Sequence, residues 1–315
     1  MRLFIGFIAY GESTAKYLPY FLPSLKNQTF KDYQILAVDN SEIEKNKNAD
    51  YIKNNFPEID FKWAGKNLGF AKAYNLMIRQ AAEAQAEYFL ALNPDMILEP
   101  DMLEKLAAAA EKNNGAAAVA AKILRWDFAN QKKTNIIDSC GLKLLPGLRF
   151  VDYKEGESDS ASCDGEIIGP SGAAAFYRLS ALEKVKQNGQ YFDELMFMYK
   201  EDCDLAYRLF LAGFKSKRVA DAVIYHDRSS SGAGQGDLAV ALNRKNKSRQ
   251  VKKLSFLNQQ IIFIKYWRRQ SFINKLAIIW FEFKMLAFAF FFEPYLLKEL
   301  VNLNKIRHKI IKYER

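Results

Sequence analysis

Three carboxylates, Glu201, Asp202 and Asp204, stand within four positions of the segment Met198–Asp204 (MYKEDCD). Carboxylates this close at the start of a helical pattern perturb one another's ionisation, as acid/base groups in active sites do. On a plain surface they would only complement the helix dipole. Asp95 follows an apolar run and Pro94, in a turn from which its carboxylate could hold a divalent cation, and the cation a diphosphate. A turn aspartate is the simpler alternative. Asp39, directly after Ala37-Val38, suits hydrogen bonding to a base or sugar, and equally an Asx-turn or helix cap. His226 ends an apolar run and is a ligand candidate, whereas His308, set among Lys and Arg, reads as solvated. Lys66–Phe70 (KNLGF) opens a helical pattern in which Gly69 permits close backbone approach and the helix N-terminus favours anions; a turn and cap would look the same. Gly169–Ala175 (GPSGAAA) either leaves room for a ligand against the backbone or packs a strand tightly on a helix.

These residues fall where a parallel sheet would gather them. Buried strands are expected at Leu3–Ala9, Tyr33–Val38, Ile59–Ala64, Tyr88–Leu92 and Ala116–Leu124. Helices are expected near Ala15–Asn27, Lys47–Asn55, Phe70–Ala84 and Pro100–Asn113. Strand–helix alternation at this spacing predicts an α/β fold, a Rossmann-like, mostly parallel sheet with flanking helices. Ligands of such sheets bind at the carboxyl ends of the strands, so the corners Ala9-Tyr10-Gly11-Glu12, Asp39-Asn40-Ser41 and Asn93-Pro94-Asp95 should share one rim. Trp126–Cys163 reads as an irregular excursion, with regular structure resuming at Glu166–Ile168, Ala173–Tyr177, a helix Asp202–Ala212 and a strand Lys217–Tyr225. Ser229–Gly236 (SSSGAGQG) reads as the most flexible segment. No Walker lysine motif occurs, and the only closely spaced glycines of the right kind, Gly232, Gly234 and Gly236, come late, so a dinucleotide enzyme is disfavoured.

The 315 residues carry a net charge of +10, unevenly placed. Arg244–Arg315 holds 17 Lys/Arg against 4 Asp/Glu, leaving a slightly acidic body. Cys140, Cys163 and Cys203 are odd in number without C-x-x-C spacing, which argues against a zinc knuckle or disulfide framework and for a reducing compartment. Leu276–Phe292 comes nearest to a membrane span, but Glu282 and Lys284 interrupt it, each at about 2.5–3.5 kcal/mol at a bilayer centre.

Six segments in register resemble glycosyltransferase family 2, with the GT-A fold, nearest to its bacterial rhamnosyltransferase-like branch. They are AVDNS at Ala37–Ser41, KNLGFAKAYN at Lys66–Asn75, LNPDM at Leu92–Met96, GPSGAAAFYR at Gly169–Arg178, FDELMFMYKEDCDLAYRLFLAGFK at Phe192–Lys215 and VIYHD at Val223–Asp227. The resemblance runs from about Leu3 to His226. It implies that Ala9, Tyr10, Glu12 and Asp39 frame the nucleotide, with Asn67 and Gly69 close by and Lys72 adding a phosphate contact. Asn93-Pro94-Asp95 takes the place of the D-x-D motif, so Asp95, with His226, would hold Mn²⁺ or Mg²⁺. Gly172 would border donor sugar and acceptor. Asp202 would be the catalytic base of an inverting transfer from a nucleoside-diphosphate sugar, with Glu201 in support. Asp227 stands where family members often have a second His.

A catalytic domain is thus expected at 1–228, a flexible loop at 229–243 and a basic helical tail at 244–315. Ser271, Lys275, Glu282 and Glu293 make one narrow stripe on an otherwise apolar helix. Such a helix suits the interface of an anionic membrane, which predicts a peripheral enzyme at the inner face of the cell membrane acting on a glycan or lipid-linked acceptor. The alternative is an apolar hairpin packed on the body or in a homo-oligomer interface. No nucleic-acid-binding module is evident. A sugar-nucleotide pyrophosphorylase would need a glycine- and arginine-rich loop where Gly11–Leu18 (GESTAKYL) stands, and a non-catalytic scaffold would have lost Asp95 or Asp202.

Overall fold

The computed structural model describes residues 2–160, 166–228 and 247–311. Eleven strands are present among them: β1 Leu3–Ala9, β2 Tyr33–Asp39, β3 Asp60–Trp63, β4 Tyr88–Leu92, β5 Met96–Leu98, β6 Ala116–Asp127, β7 Lys132–Ser139, β8 Leu142–Leu145, β9 Arg149–Asp152, β10 Ala174–Arg178 and β11 Lys215–His226. Nine form one sheet in the order β3-β2-β1-β4-β10-β6-β11-β5, with β7 on β6, and β8-β9 make a separate hairpin. The β3-β2-β1-β4 half is parallel, as the strand–helix alternation requires. Beyond it β10 runs antiparallel to both β4 and β6, so the sheet is mixed.

Helices α1 Gly11–Ala15, α2 Leu18–Lys26, α3 Lys47–Asn55, α4 Gly69–Glu83, α5 Met102–Lys112, α6 Leu179–Val185 and α7 Glu201–Leu211 cover the sheet. β1 shows why it is sandwiched. Its side chains alternate, Leu3, Ile5 and Phe7 packing with α2 and α5, and Phe4 with α4 on the opposite face. The helix expected over Ala15–Asn27 is two pieces, since the chain turns at Lys16-Tyr17 and Pro19 starts α2 afresh.

Two expectations fail between residues 126 and 168. Trp126–Cys163 is not irregular: β7, β8 and β9 lie in it. β7 is an edge strand, largely exposed over its first half, so its sequence lacks the apolar alternation that would have announced it. Glu166–Ile168 is not a strand; pairing there is an isolated bridge between Leu142 and Gly169. Cys140 is disulfide-bonded, against the expectation of unpaired cysteines, while Cys203 is free and buried.

The C-terminal region forms α8 Arg249–Tyr266, α9 Phe272–Phe292 and α10 Lys298–Ile306. α8 is built into the body, with Ile261, Ile262 and Tyr266 in one cluster with Tyr207 of α7, Phe150 of β9 and Ile278 of α9. Gly147, at the β8–β9 turn, donates its N–H to Asn274 Oδ1 at 2.8 Å. None of the described helices is long and apolar enough to cross a membrane. The expected flexible loop, including Ser229–Gly236, lies outside the described residues.

Candidate active site

Strand register puts the candidates on one rim. Ala9 is level with Asp39, Leu92 with Ala174 and Met96 with His226. Two backbone bonds tie the corners together, from Asn93 N–H to the Ala173 carbonyl (2.8 Å) and from Asp227 N–H to the Asp95 carbonyl (2.9 Å).

At the β1/β2 corner Asp39 is fully buried. Its Oδ1 accepts from the Ser41 N–H and hydroxyl (2.9 and 2.6 Å) and its Oδ2 from Asn46 Nδ2 (2.8 Å). The Asx-turn reading is therefore realised, and the carboxylate shapes the corner from beneath. Tyr10 and Glu12 stand on the exposed mouth, Tyr10 donating to Glu42 (3.2 Å) and Glu12 paired with Lys47 (3.0 Å). Asn67 Oδ1 accepts from the Gly69 N–H at 2.9 Å. Gly69 sits at φ +72°, where a Cβ would come within 2.6 Å of the Phe197 ring and carbonyl. Lys72 is exposed on the first turns of α4.

The β4/β11 corner holds a chain of alternating charge. His226 Nε2 lies 3.3 Å from Asp95 Oδ1, and its Nδ1 lies 2.8 Å from Asp138 Oδ2. Arg228 contacts Asp138 (3.2 Å), Asp152 (3.0 Å) and Glu155 (3.6 Å). Burial opposes charge on His226, yet Asp95 and Asp138 outweigh it and push its pKa up to about 10. Tyr17 donates to Asp227 Oδ2 at 2.5 Å. Among the described residues no three His, Cys, Asp or Glu side chains form a metal cage. A divalent cation nevertheless fits between two of them. The buried Asp95 Oδ1 lacks a well-formed hydrogen bond, and Asp138 anchors the far nitrogen of the imidazole that faces it. Asp95 would supply an oxygen and His226, on giving up its Nε2 proton, a nitrogen.

Asp202 lies at the start of α7. Its Oδ2 accepts from the Gly172 N–H at 2.9 Å and its Oδ1 from the Cys203 N–H at 2.8 Å. Burial raises its pKa, the two N–H groups pull it back, and Asp152 raises it further. Glu201 is buried, and burial together with the neighbouring Asp202 holds its carboxyl well above the ordinary range. Asp204 serves structure instead, pairing with Arg208 and Lys265 in the core.

The sheet thus gathers Asp95, His226, Gly172 and Asp202 on one side of the rim, with the Ala9–Asp39 corner and Asn67-Gly69 on the other. Asp138, Asp152 and Arg228 were missed by sequence reasoning. Two lie in the stretch read as irregular, and the third directly follows the His226-Asp227 pair.

The family model for Glycosyl transferase family 2 matches residues 5–186, more than half of the chain. The chain belongs to that family. This glycosyltransferase is 25% identical over 241 residues to N-acetylglucosaminyl-diphospho-decaprenol L-rhamnosyltransferase of Mycobacterium tuberculosis, covering 71% of this chain and 76% of the relative. Solved structures share its fold. The mannosyltransferase PcManGT from Pyrobaculum calidifontis, in complex with GDP-Man and Mn²⁺, aligns with TM-score 0.53 at 15% identity, over 98% of this chain and 75% of that one. S. aureus TarS 1-349 in complex with UDP aligns with TM-score 0.50 at 16% identity, over 85% and 71%.

Proposed function

We propose that this glycosyltransferase inverts the anomeric centre as it moves a sugar, rhamnose on the strength of the mycobacterial relative, from a nucleoside-diphosphate donor to a hydroxyl of a lipid-linked glycan. The reaction belongs to cell-surface polysaccharide synthesis. The seat of Asp202 carries this reading: a carboxylate of raised pKa, held by two backbone N–H groups and retaining some solvent exposure. Asp202 takes the acceptor hydroxyl's proton as that oxygen attacks the anomeric carbon from the face opposite the departing diphosphate. Gly172 and Cys203 keep the carboxylate aimed, with Glu201 beside it in support. A divalent cation, held by Asp95 and His226, would offset the charge of the leaving diphosphate. Ala9, Tyr10, Glu12 and Asp39 shape the nucleotide end of the cleft, with Asn67, Gly69 and Asn93 along its floor.

The donor half of the site lies within residues 1–228, and the C-terminal helices bring the enzyme to the inner face of the cell membrane. α9 supports this. Ile273, Leu276, Trp280, Phe283, Phe290 and Phe291 are all at least half exposed, at spacings that place them on one face, while Ile278 on the other is buried against the body. Lys and Arg precede and follow α9 in the sequence, which suits attraction to anionic headgroups.

The test is a panel of UDP- and dTDP-sugars, dTDP-L-rhamnose included, offered with a polyprenyl-diphospho-GlcNAc acceptor and Mn²⁺ or Mg²⁺. Metal-dependent transfer with inversion is expected. Absence of transfer or donor hydrolysis across the panel overturns the reading, and nucleoside-triphosphate-dependent pyrophosphate release would install a pyrophosphorylase instead.

A further inference from the structure

The loop leading into α7 adopts a backbone that its residues do not favour. Phe197 (φ 57°, ψ −66°), Tyr199 (φ 70°) and Lys200 (φ 68°) all lie at positive φ, and none is glycine. The Met198 N–H closes a tight turn onto the Met196 carbonyl at 2.6 Å. A turn of this kind persists only where its surroundings over-determine it.

The loop carbonyls show what does so. Asn258, fully buried on α8, holds Nδ2 at 2.7, 2.9 and 2.7 Å from the Met196, Met198 and Tyr199 carbonyls, which share its two N–H donors. Three acceptors around one atom fix it as the amide nitrogen. The remaining carbonyl of the turn, on Phe197, accepts from the Ala71 N–H of α4 at 3.0 Å, and that on Lys200 accepts from Asp204 N–H at 2.9 Å. Two helical turns beyond Asn258, the buried Lys265 ammonium meets Asp193 at 2.9 Å and Asp204 at 2.8 Å, one carboxylate on each side of the loop. Tyr266 donates to the same Asp204 at 2.6 Å.

We infer that Asn258 is a positioning residue for the base: α8 splints the strained loop, and thereby sets where α7 begins and where Asp202 points. This deepens the proposed function by assigning part of the C-terminal region to the catalytic apparatus. Asp202 has little latitude, because it sits against the Gly172 backbone. A loop that relaxes by a fraction of an ångström therefore moves the base relative to its acceptor.

The full-length chain carrying Asn258→Ala or Asn258→Leu tests the inference. Leucine refills the space but offers no donor, so a packing role and a hydrogen-bonding role give opposite results. Both variants should lower kcat about 10–100-fold with donor KM held within about threefold. Both should also speed amide exchange at least about tenfold in peptides spanning 196–204, and leave β1 and β4 peptides unchanged. Recovery of wild-type kcat and exchange by leucine would overturn the inference, as would unchanged exchange in both variants. The exchange measurement needs no donor, so it still decides the matter if wild-type protein turns over no sugar nucleotide, a result that counts against the proposed function alone.

Discussion

Gly172 and Asp202 are fitted to each other at the backbone: the Gly172 N–H donates to Asp202 Oδ2 at 2.9 Å, and a Cβ on Gly172 would stand 2.9 Å from that same oxygen. Any larger residue must push the carboxylate off its seat. Gly172→Ala is expected to lower transfer by about 100-fold, since displacement of about an ångström is enough for that. Nucleotide affinity should be unchanged, because the corner at Ala9 and Asp39 is untouched. Titration with UDP and dTDP beside steady-state rates checks both; transfer within threefold of wild type would remove the seat from the mechanism.

Asp202→Asn should lose about 10²–10⁴-fold in transfer while still binding nucleotide. The same substitution should raise stability at neutral pH. A carboxyl whose folded pKa is raised favours its neutral form, so its contribution is present below the unfolded value and lost as pH rises through the folded one. The asparagine variant is spared that loss. Its thermal midpoint should exceed the wild type's near neutrality and converge with it in acid; a lower midpoint at neutral pH contradicts the buried, raised carboxyl.

The pH profile of transfer follows from the same group. As the proposed base, Asp202 would act only when ionised, so kcat should fall as pH drops through a pKa raised from the ordinary Asp value. No acidic limb, or one at the ordinary Asp value, would mean that another group is the base.

Asp138→Asn keeps the shape beside His226 but removes the charge that orients its ring. Affinity for Mn²⁺ in the presence of nucleoside diphosphate should fall about 10–100-fold, with nucleotide affinity in the absence of metal unaltered. Calorimetric titration reads both. Equal Mn²⁺ affinities would place Asp138 outside the metal site.

Trp280→Asp combined with Phe283→Asp puts two charges on the exposed face of α9, where neither side chain contributes to the packed core. Wild type should float with phosphatidylglycerol vesicles at low salt, and the double variant should remain below, with an unchanged thermal midpoint. A wild type that stays in the lipid-free fraction defeats the membrane reading.

The rim of the site could be read from the sequence, because strand ends followed by polar corners at Ala9, Asp39 and Asp95 leave a local signature that the sheet then aligns. The pairing of His226 with Asp138 could not. The two are 88 residues apart, and nothing in either segment marks a partner. The β7–β9 region was misread because a half-exposed edge strand has little apolar periodicity. The way α8 packs into the body was hidden in the sequence for a related reason. Asn258, Gln259, Gln260 and Lys265 are residues of a solvated face by type, yet all four are buried, and Asn258, Gln259 and Lys265 meet partners from distant parts of the chain. Asp39 shows the limit from the other side: its position was legible, but its engagement by Ser41 and Asn46 depended on how the corner closed.

Gln259 donates to the Leu148 carbonyl at 3.1 Å and Asn274 accepts from Gly147, so the β8–β9 turn is gripped by both α8 and α9. The apolar face, the hairpin that carries Asp152 and the loop before Asp202 are therefore parts of one jig. If Trp280 and its neighbours sit in lipid as proposed, the height of the proposed base above the bilayer would be a fixed dimension of the fold. A lipid-linked acceptor would then be measured as well as recognised: a glycan stub one sugar too short or too long would present its hydroxyl at the wrong level.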